Sequence, residues 1–177
     1  VGVDLDLASN IGSVRVKSGS LALGQSLINF GNFDVALGSS LILQLGNDLN
    51  MQPGSSFTGS GSINVTSTSI LDIISATVDP TLAMSFTNAT LSGAENLATP
   101  DSISFTDSTI SANFLPFIAP LSSTVTLSGV NTLAGDMIVE GTLIWPSGVL
   151  QESGVSTLTT GLSSLTTLGS AGSASIN

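Results

Sequence analysis

The chain has 177 residues, 41% of them apolar and only 8% charged, and its 12 acidic against 2 basic residues leave a net charge of −10. With no His and no Cys, the usual nucleophile and base pairs and any His- or thiolate-ligated metal site are excluded, and two cations cannot neutralise the backbone of a nucleic acid. The apolar content and positive mean hydropathy separate the chain from disordered sequences and fit a single domain over residues 1–177.

In chain order, VGVDLDL alternates as a strand and puts Asp4 and Asp6 on one face. Two carboxylates are few for Ca²⁺, which takes several oxygen ligands, and a solvated polar face is the simpler expectation. GSVRVKSGSL at 12–21 then aligns without a gap on GSINVTSTSI at 61–70. The same phrase returns as MSFTNATLS at 84–92 and ISFTDSTIS at 103–111, and in a looser form with one extra residue as GNFDVALGSSL at 31–41. Val14, Val16 and Leu21 thereby match Ile63, Val65 and Ile70, then Met84, Phe86 and Leu91, then Ile103, Phe105 and Ile110. Apolar residues two apart share one face of a strand, while the residues between them (Arg15, Asp34, Asn64, Ser85 and Ser104) face solvent. The polar stretches TNAT and TDST that follow read as corners, so each coil is a strand, a corner, a strand and a return.

Further along, LPFIAPL at 115–121 places two prolines in an apolar run and predicts an irregular loop near 112–123. Pro53, Pro80, Pro100, Pro120 and Pro146 are expected between strands, where a missing N–H costs a ladder least. Leu158, Leu162, Leu165 and Leu168 fall at helical spacing, but the Thr, Ser and Gly around them predict two strands about a turn. No signal peptide and no apolar run long enough to span a bilayer is visible, so membrane insertion is not expected, and the start at Val1 without Met reads as a processed or excised chain. Asn64 and Asn88 begin N-glycosylation sequons, a match that chance supplies in so Ser- and Thr-rich a chain.

A unit of about 20 residues cannot bury a face alone and is stable only when stacked on its own copies. The predicted fold is therefore all-β, a parallel β-helix (β-solenoid) with coils of about 19–22 residues and roughly eight coils. The phrases SFTNATLSG and LSGVNTLAGDMIVEGTLIWPSGVLQESGVSTLTTGLSSLTTLG resemble the β-solenoid repeats of secreted bacterial surface proteins, autotransporter passengers and filamentous adhesins among them. The resemblance runs from about Ile11 to Leu168, implies a right-handed parallel β-helix, and marks no catalytic residue to carry over.

Stacking in register makes columns of side chains. Arg15 and Asp34 are expected as vertical neighbours about 4.8 Å apart, either paired or as two separate exposed charges. Thr66, Thr87 and Thr106 should form a Thr column, with Ser67, Asn88 and Asp107 at the corner beside it stabilising turns. Asp101 with Asp107, or Asp136 with Glu140, are the carboxylate pairs to consider for a polysaccharide-active β-helix enzyme. Against that reading stand the absence of any Asp-Asp cluster and the scarcity of aromatic platforms and basic residues.

Outward Thr ladders also raise an ice-binding alternative, weakened by the charged Arg15 and Asp34 in the neighbouring column. For a surface glycan, Trp145 is the contact to consider first, against the plainer expectation that it packs at a strand end. No catalytic residue, cofactor or metal is expected. The expected role is an extracellular or cell-surface structural or adhesive rod, self-associating through its β-helix ends into a homo-oligomer or filament, or forming part of a longer fibre.

Overall fold

The computed structural model describes residues 2–5, 8–93, 97, 100–112, 116–154, 156–161, 166–168 and 174–176. It is an all-β parallel solenoid of about 7 turns, without helices among the described residues. Most coils contribute strands to three faces rather than two, the stretch expected as a plain return being itself a strand in all of them but the coil of residues 83–101, where none is described. The first face is built from β1 (Gly2–Leu5), β4 (Ser20–Leu23), β7 (Ser40–Leu43), β10 (Ser62–Thr66), β13 (Ala83–Thr87) and β15 (Ser102–Thr106). It continues into β18 (Thr124–Ala134), β20 (Thr142–Glu152) and β22 (Thr166–Leu168).

The second face holds β2 (Ser9–Asn10), β5 (Leu27–Asn29), β8 (Asp48–Met51), β11 (Ile70–Ile73), β14 (Thr90–Ser92) and β16 (Thr109–Ser111). The later halves of β18 and β20 join it, and β23 (Ala174–Ile176) pairs with β20. The third face is two separate sheets. One holds β3 (Ser13–Val16), β6 (Asn32–Val35), β9 (Ser56–Gly59) and β12 (Thr77–Val78); the other holds β17 (Phe117–Ala119), β19 (Met137–Val139) and β21 (Leu158–Thr160).

Every strand pairing among the described residues is parallel. Gly2 pairs with Ser20, Ser20 with Ser40, Ser40 with Ser62, Ser62 with Ala83, Ala83 with Ser102, Ser102 with Thr124, Thr124 with Thr142 and Leu143 with Thr166, so the coils measured on this face take from 18 to 23 residues. This widens the expected 19–22 at both ends, and the turns are about seven rather than eight.

The three inner faces meet in one core. Leu41, Ile63, Met84, Ile103 and Val125 follow one another up the first face, and Leu27, Leu49, Leu71, Leu91 and Ile110 up the second, all buried. Rings stack with the rungs: Phe33 lies on Phe57 with centroids 6.0 Å apart, Phe86 on Phe105 at 5.1 Å, and Phe105 meets Phe117 edge-on at 6.5 Å. Burying each such ring stabilises the fold by roughly 1.5–3 kcal/mol relative to leaving it in water.

The repeated phrase is real, but two of its copies lie on another face. Ile63, Met84 and Ile103 stack on the first face, whereas Val14 pairs with Phe33 on the third. An identical apolar spacing fits either face, because alternation specifies a strand and not its side of the triangle. Within the phrase, Leu71 and not Ile70 is the partner of Leu91. The corner after β10 is one residue longer than those after β13 and β15, so the gapless alignment slipped there.

The segment expected as an irregular loop near 112–123 contains β17, with Phe117 and Ala119 buried, followed by a turn closed by Ser123 N–H on the Pro120 carbonyl. Its two prolines bracket the strand instead of interrupting it. Residues 113–115 lie outside the described residues. Pro146 differs from the other prolines in lying inside a strand. The register of β18 on β20 slips between Thr126 and Ser128, leaving Pro146 in a bulge, where its missing N–H breaks no ladder bond. The two strands expected near the C-terminus are β21 and β22; residues 162–165 between them are not described.

Candidate functional site

The outer side of the first face is a regular, largely polar surface. One column runs Ser20, Ser40, Ser62, Ala83, Ser102, Thr124 and Thr142. A second runs Ala22, Ile42, Asn64, Ser85, Ser104, Thr126 and Ile144, and the third runs Thr66, Thr87, Thr106 and Ser128. The period-two alternation of each strand puts these residues outward and about 4.8 Å apart along the axis.

Hydrogen bonds run up the columns. The hydroxyls of Ser40 and Ser62 are hydrogen-bonded at 2.9 Å, with either able to donate, Ser85 Oγ donates to Asn64 Oδ1 at 2.7 Å, and the hydroxyls of Thr106 and Ser128 are hydrogen-bonded at 2.7 Å. Thr66, Thr87 and Thr106 are thus consecutive members of one column.

No charged residue stands in these columns from Ser20 to Ile144. Arg15 and Asp34 are register partners and form an ion pair, with Arg15 Nε donating to Asp34 Oδ2 at 2.6 Å. They belong to the third face, where Thr58 continues their column. The mixed column expected from sequence, with Arg15 and Asp34 beneath Asn64, does not exist. The pair is exposed, Arg15 at 60%, which places it among surface ion pairs of small energetic weight.

Trp145 is not at the surface. It is 4% exposed within the core, so it cannot offer a stacking platform to a glycan. The alternation of TLIWP sends Leu143 and Trp145 inward together, and only after that does the bulge at Pro146 change the register.

The carboxylates considered as catalytic pairs are held apart by strands. Asp101 and Asp107 stand at opposite ends of β15, about 20 Å along an extended chain, and Asp136 and Glu140 flank β19 at about 13 Å. Glycosidase carboxylates stand at about 5–9.5 Å. Asp107 has a turn-forming role instead: its Oδ1 accepts from Val130 N–H at 2.7 Å, tying one corner to the next coil. Asp136 Oδ1 accepts from Thr157 Oγ1 at 2.7 Å. Asp79 accepts from the backbone N–H and the hydroxyl of Thr81, at 3.0 and 2.7 Å, and these bonds hold its pKa below the ordinary 3.8. Asp6 lies outside the described residues, as does the side chain of Asp4. Among the described residues no three acidic, His or Cys side chains gather as metal ligands, and no helix is long and apolar enough to cross a membrane.

A buried polar ladder was missed from sequence. Asn10 and Asn29 point inward on adjacent rungs; Asn10 Nδ2 donates to Asn29 Oδ1 at 2.7 Å, and Asn29 Nδ2 donates to the Gly31 carbonyl at 3.0 Å. The signal was present as NIGSVRV over NFGNFDV, two lines of seven with Asn and Gly in common places. Gly31 must be glycine here because a Cβ would overlap the Gly12 carbonyl oxygen directly beneath it.

No family model, no curated protein and no solved structure matches this chain.

Proposed function

We propose that the chain is an extracellular or cell-surface structural or adhesive rod. It associates end to end into a filament, or forms part of a longer fibre of the kind built by bacterial autotransporter passengers and filamentous adhesins. The observation that carries this reading is the rung-by-rung register of about seven parallel turns around one core column. A parallel coil presents to the next the same row of N–H and C=O groups that it received from the last, so the architecture extends by repetition. At about 4.8 Å per turn the described stack is on the order of 35 Å of rod.

The test is negative-stain electron microscopy of the purified chain across a concentration series. Uniform filaments a few nanometres wide that lengthen with concentration are expected. Short rods of constant length at every concentration would remove end-to-end association and leave only the longer-fibre form of the reading.

A further inference from the structure

We propose that the outer side of the first face is a lateral self-association surface, on which a second copy of this chain packs sheet to sheet. The inference rests on the rod reading and names the partner that would bundle such rods. Three observations on this face select a second copy as its occupant.

The first is electrostatic. The chain carries a net charge of −10, so two copies repel across most orientations, yet the three outward columns from Ser20 to Ile144 are free of charge. Asp4, the register partner of Ala22, stands one rung below these columns, while Arg15 and Asp34 lie on the third face, Asp48 and Asp72 on the second, and Asp79, Asp101, Asp107, Asp136 and Glu140 at corners. This is the approach on which like charge opposes contact least.

The second is the cost of drying. A hydroxyl buried without a partner is expensive, but Ser40 with Ser62, Ser85 with Asn64, and Thr106 with Ser128 already bond one another along the columns. These groups can leave water while keeping a partner. The same pairing counts against a face designed to hand its hydroxyls to an ice lattice. The face also has no exposed aromatic ring on which a sugar could stack and no Trp, Tyr or Arg to anchor an unrelated protein.

The third is shape. Thirteen of the eighteen outward side chains are Ser or Thr, with Ala22, Ala83 and Asn64 among them and Ile42 and Ile144 as the two large ones, on parallel in-register strands, the arrangement in which small side chains of facing sheets interdigitate closely. Two identical rods also share one axial repeat, so contacts made at one rung recur at the next. An isologous pair of this kind closes on itself by a two-fold axis. The face spans about 30 by 13 Å, on the order of 400 Å² from each copy. That total falls in the range of weak, transient contacts, so one module pairs weakly and affinity grows with every coil added to the rod.

The experiment is sedimentation equilibrium of the full chain over a concentration series at low and at physiological salt, with two variants of equal charge. Ser104→Glu puts a carboxylate at the centre of the face; Thr159→Glu puts one on the exposed outer side of β21 on the third face. The wild type is expected to dimerise more tightly as salt screens its net charge. Ser104→Glu should weaken dimerisation at least about tenfold while Thr159→Glu does not. Circular dichroism melts establish that both variants fold.

A wild type that stays monomeric at every salt and concentration overturns the proposal, as do equal effects of the two variants, or monomers that partition into growing ice. Electron microscopy separates this failure from that of the rod reading. Filaments of single width refute lateral pairing alone, and short rods lying side by side refute only end-to-end growth.

Discussion

Along the first face, β7, β10, β13 and β15 keep one register from Ser40 to Thr106, whereas the corner they run into is rebuilt from coil to coil. From Phe86 to Leu91 and from Phe105 to Ile110 the corner takes five residues and contains one left-handed residue, Asn88 or Asp107. From Leu43 to Leu49 and from Val65 to Leu71 it takes six and contains two, Leu45 with Gly46 and Ser67 with Thr68. One further coil closes its six-residue step by burying Asn131, which donates to the Ser128 carbonyl and accepts from Ser108 N–H. Straight faces are set by core contacts that leave no room for an extra residue, while a corner absorbs one by adding a left-handed step. Coil length therefore varies without disturbing the stack.

If the faces carry the stability, the largest loss should come from the core beneath them. Phe105→Ala removes the ring between Phe86 and Phe117 and is expected to cost about 3–5 kcal/mol in urea unfolding. A cost under about 1 kcal/mol would mean that the rungs repack around the gap. Next is the close approach of Gly31 to Gly12, where Gly31→Ala should cost about 1–3 kcal/mol because the backbone must shift to admit a methyl group.

Corners should respond in the opposite direction. Leu45 is left-handed at φ 65° and 76% exposed, so it carries strain without burying its side chain. Leu45→Asn is expected to stabilise the protein by about 1 kcal/mol, read as a rise in the urea midpoint. A loss would show that Leu45 makes a contact its exposure does not reveal.

The smallest effects belong to surface charges. Arg15→Ala should cost less than about 1 kcal/mol, and the difference from wild type should shrink in high salt. For Asp79, whose pKa is lowered in the folded state, the hydrogen bonds to Thr81 stabilise above the unfolded value near 3.8. That contribution is lost as pH falls through the lower folded pKa. Wild type and Asp79→Asn should therefore differ slightly in melting temperature at neutral pH and converge in acid; a difference that persists in acid would assign the effect to something other than the carboxylate.

Alternation and a near-constant period in the sequence were enough to determine a stacked, all-β chain with a continuous core. The expected neighbours Thr66, Thr87 and Thr106 needed only a known period, and so did Arg15 and Asp34, which sit 19 residues apart on adjacent rungs. What the sequence could not determine was which face each strand joins, because an apolar pair two apart looks the same on all three. That choice depends on corner lengths, and corner lengths depend on which residues turn left-handed, as Ser67 and Thr68 do without any Gly or Asn to announce it. Hence the third face, the removal of Arg15 and Asp34 from the Ser and Thr columns, and the burial of Trp145 were decided by the tertiary structure. Chain alternation is a local property of strands, whereas the uncharged stretch of the first face from Ser20 to Ile144 exists only once successive turns lie in register.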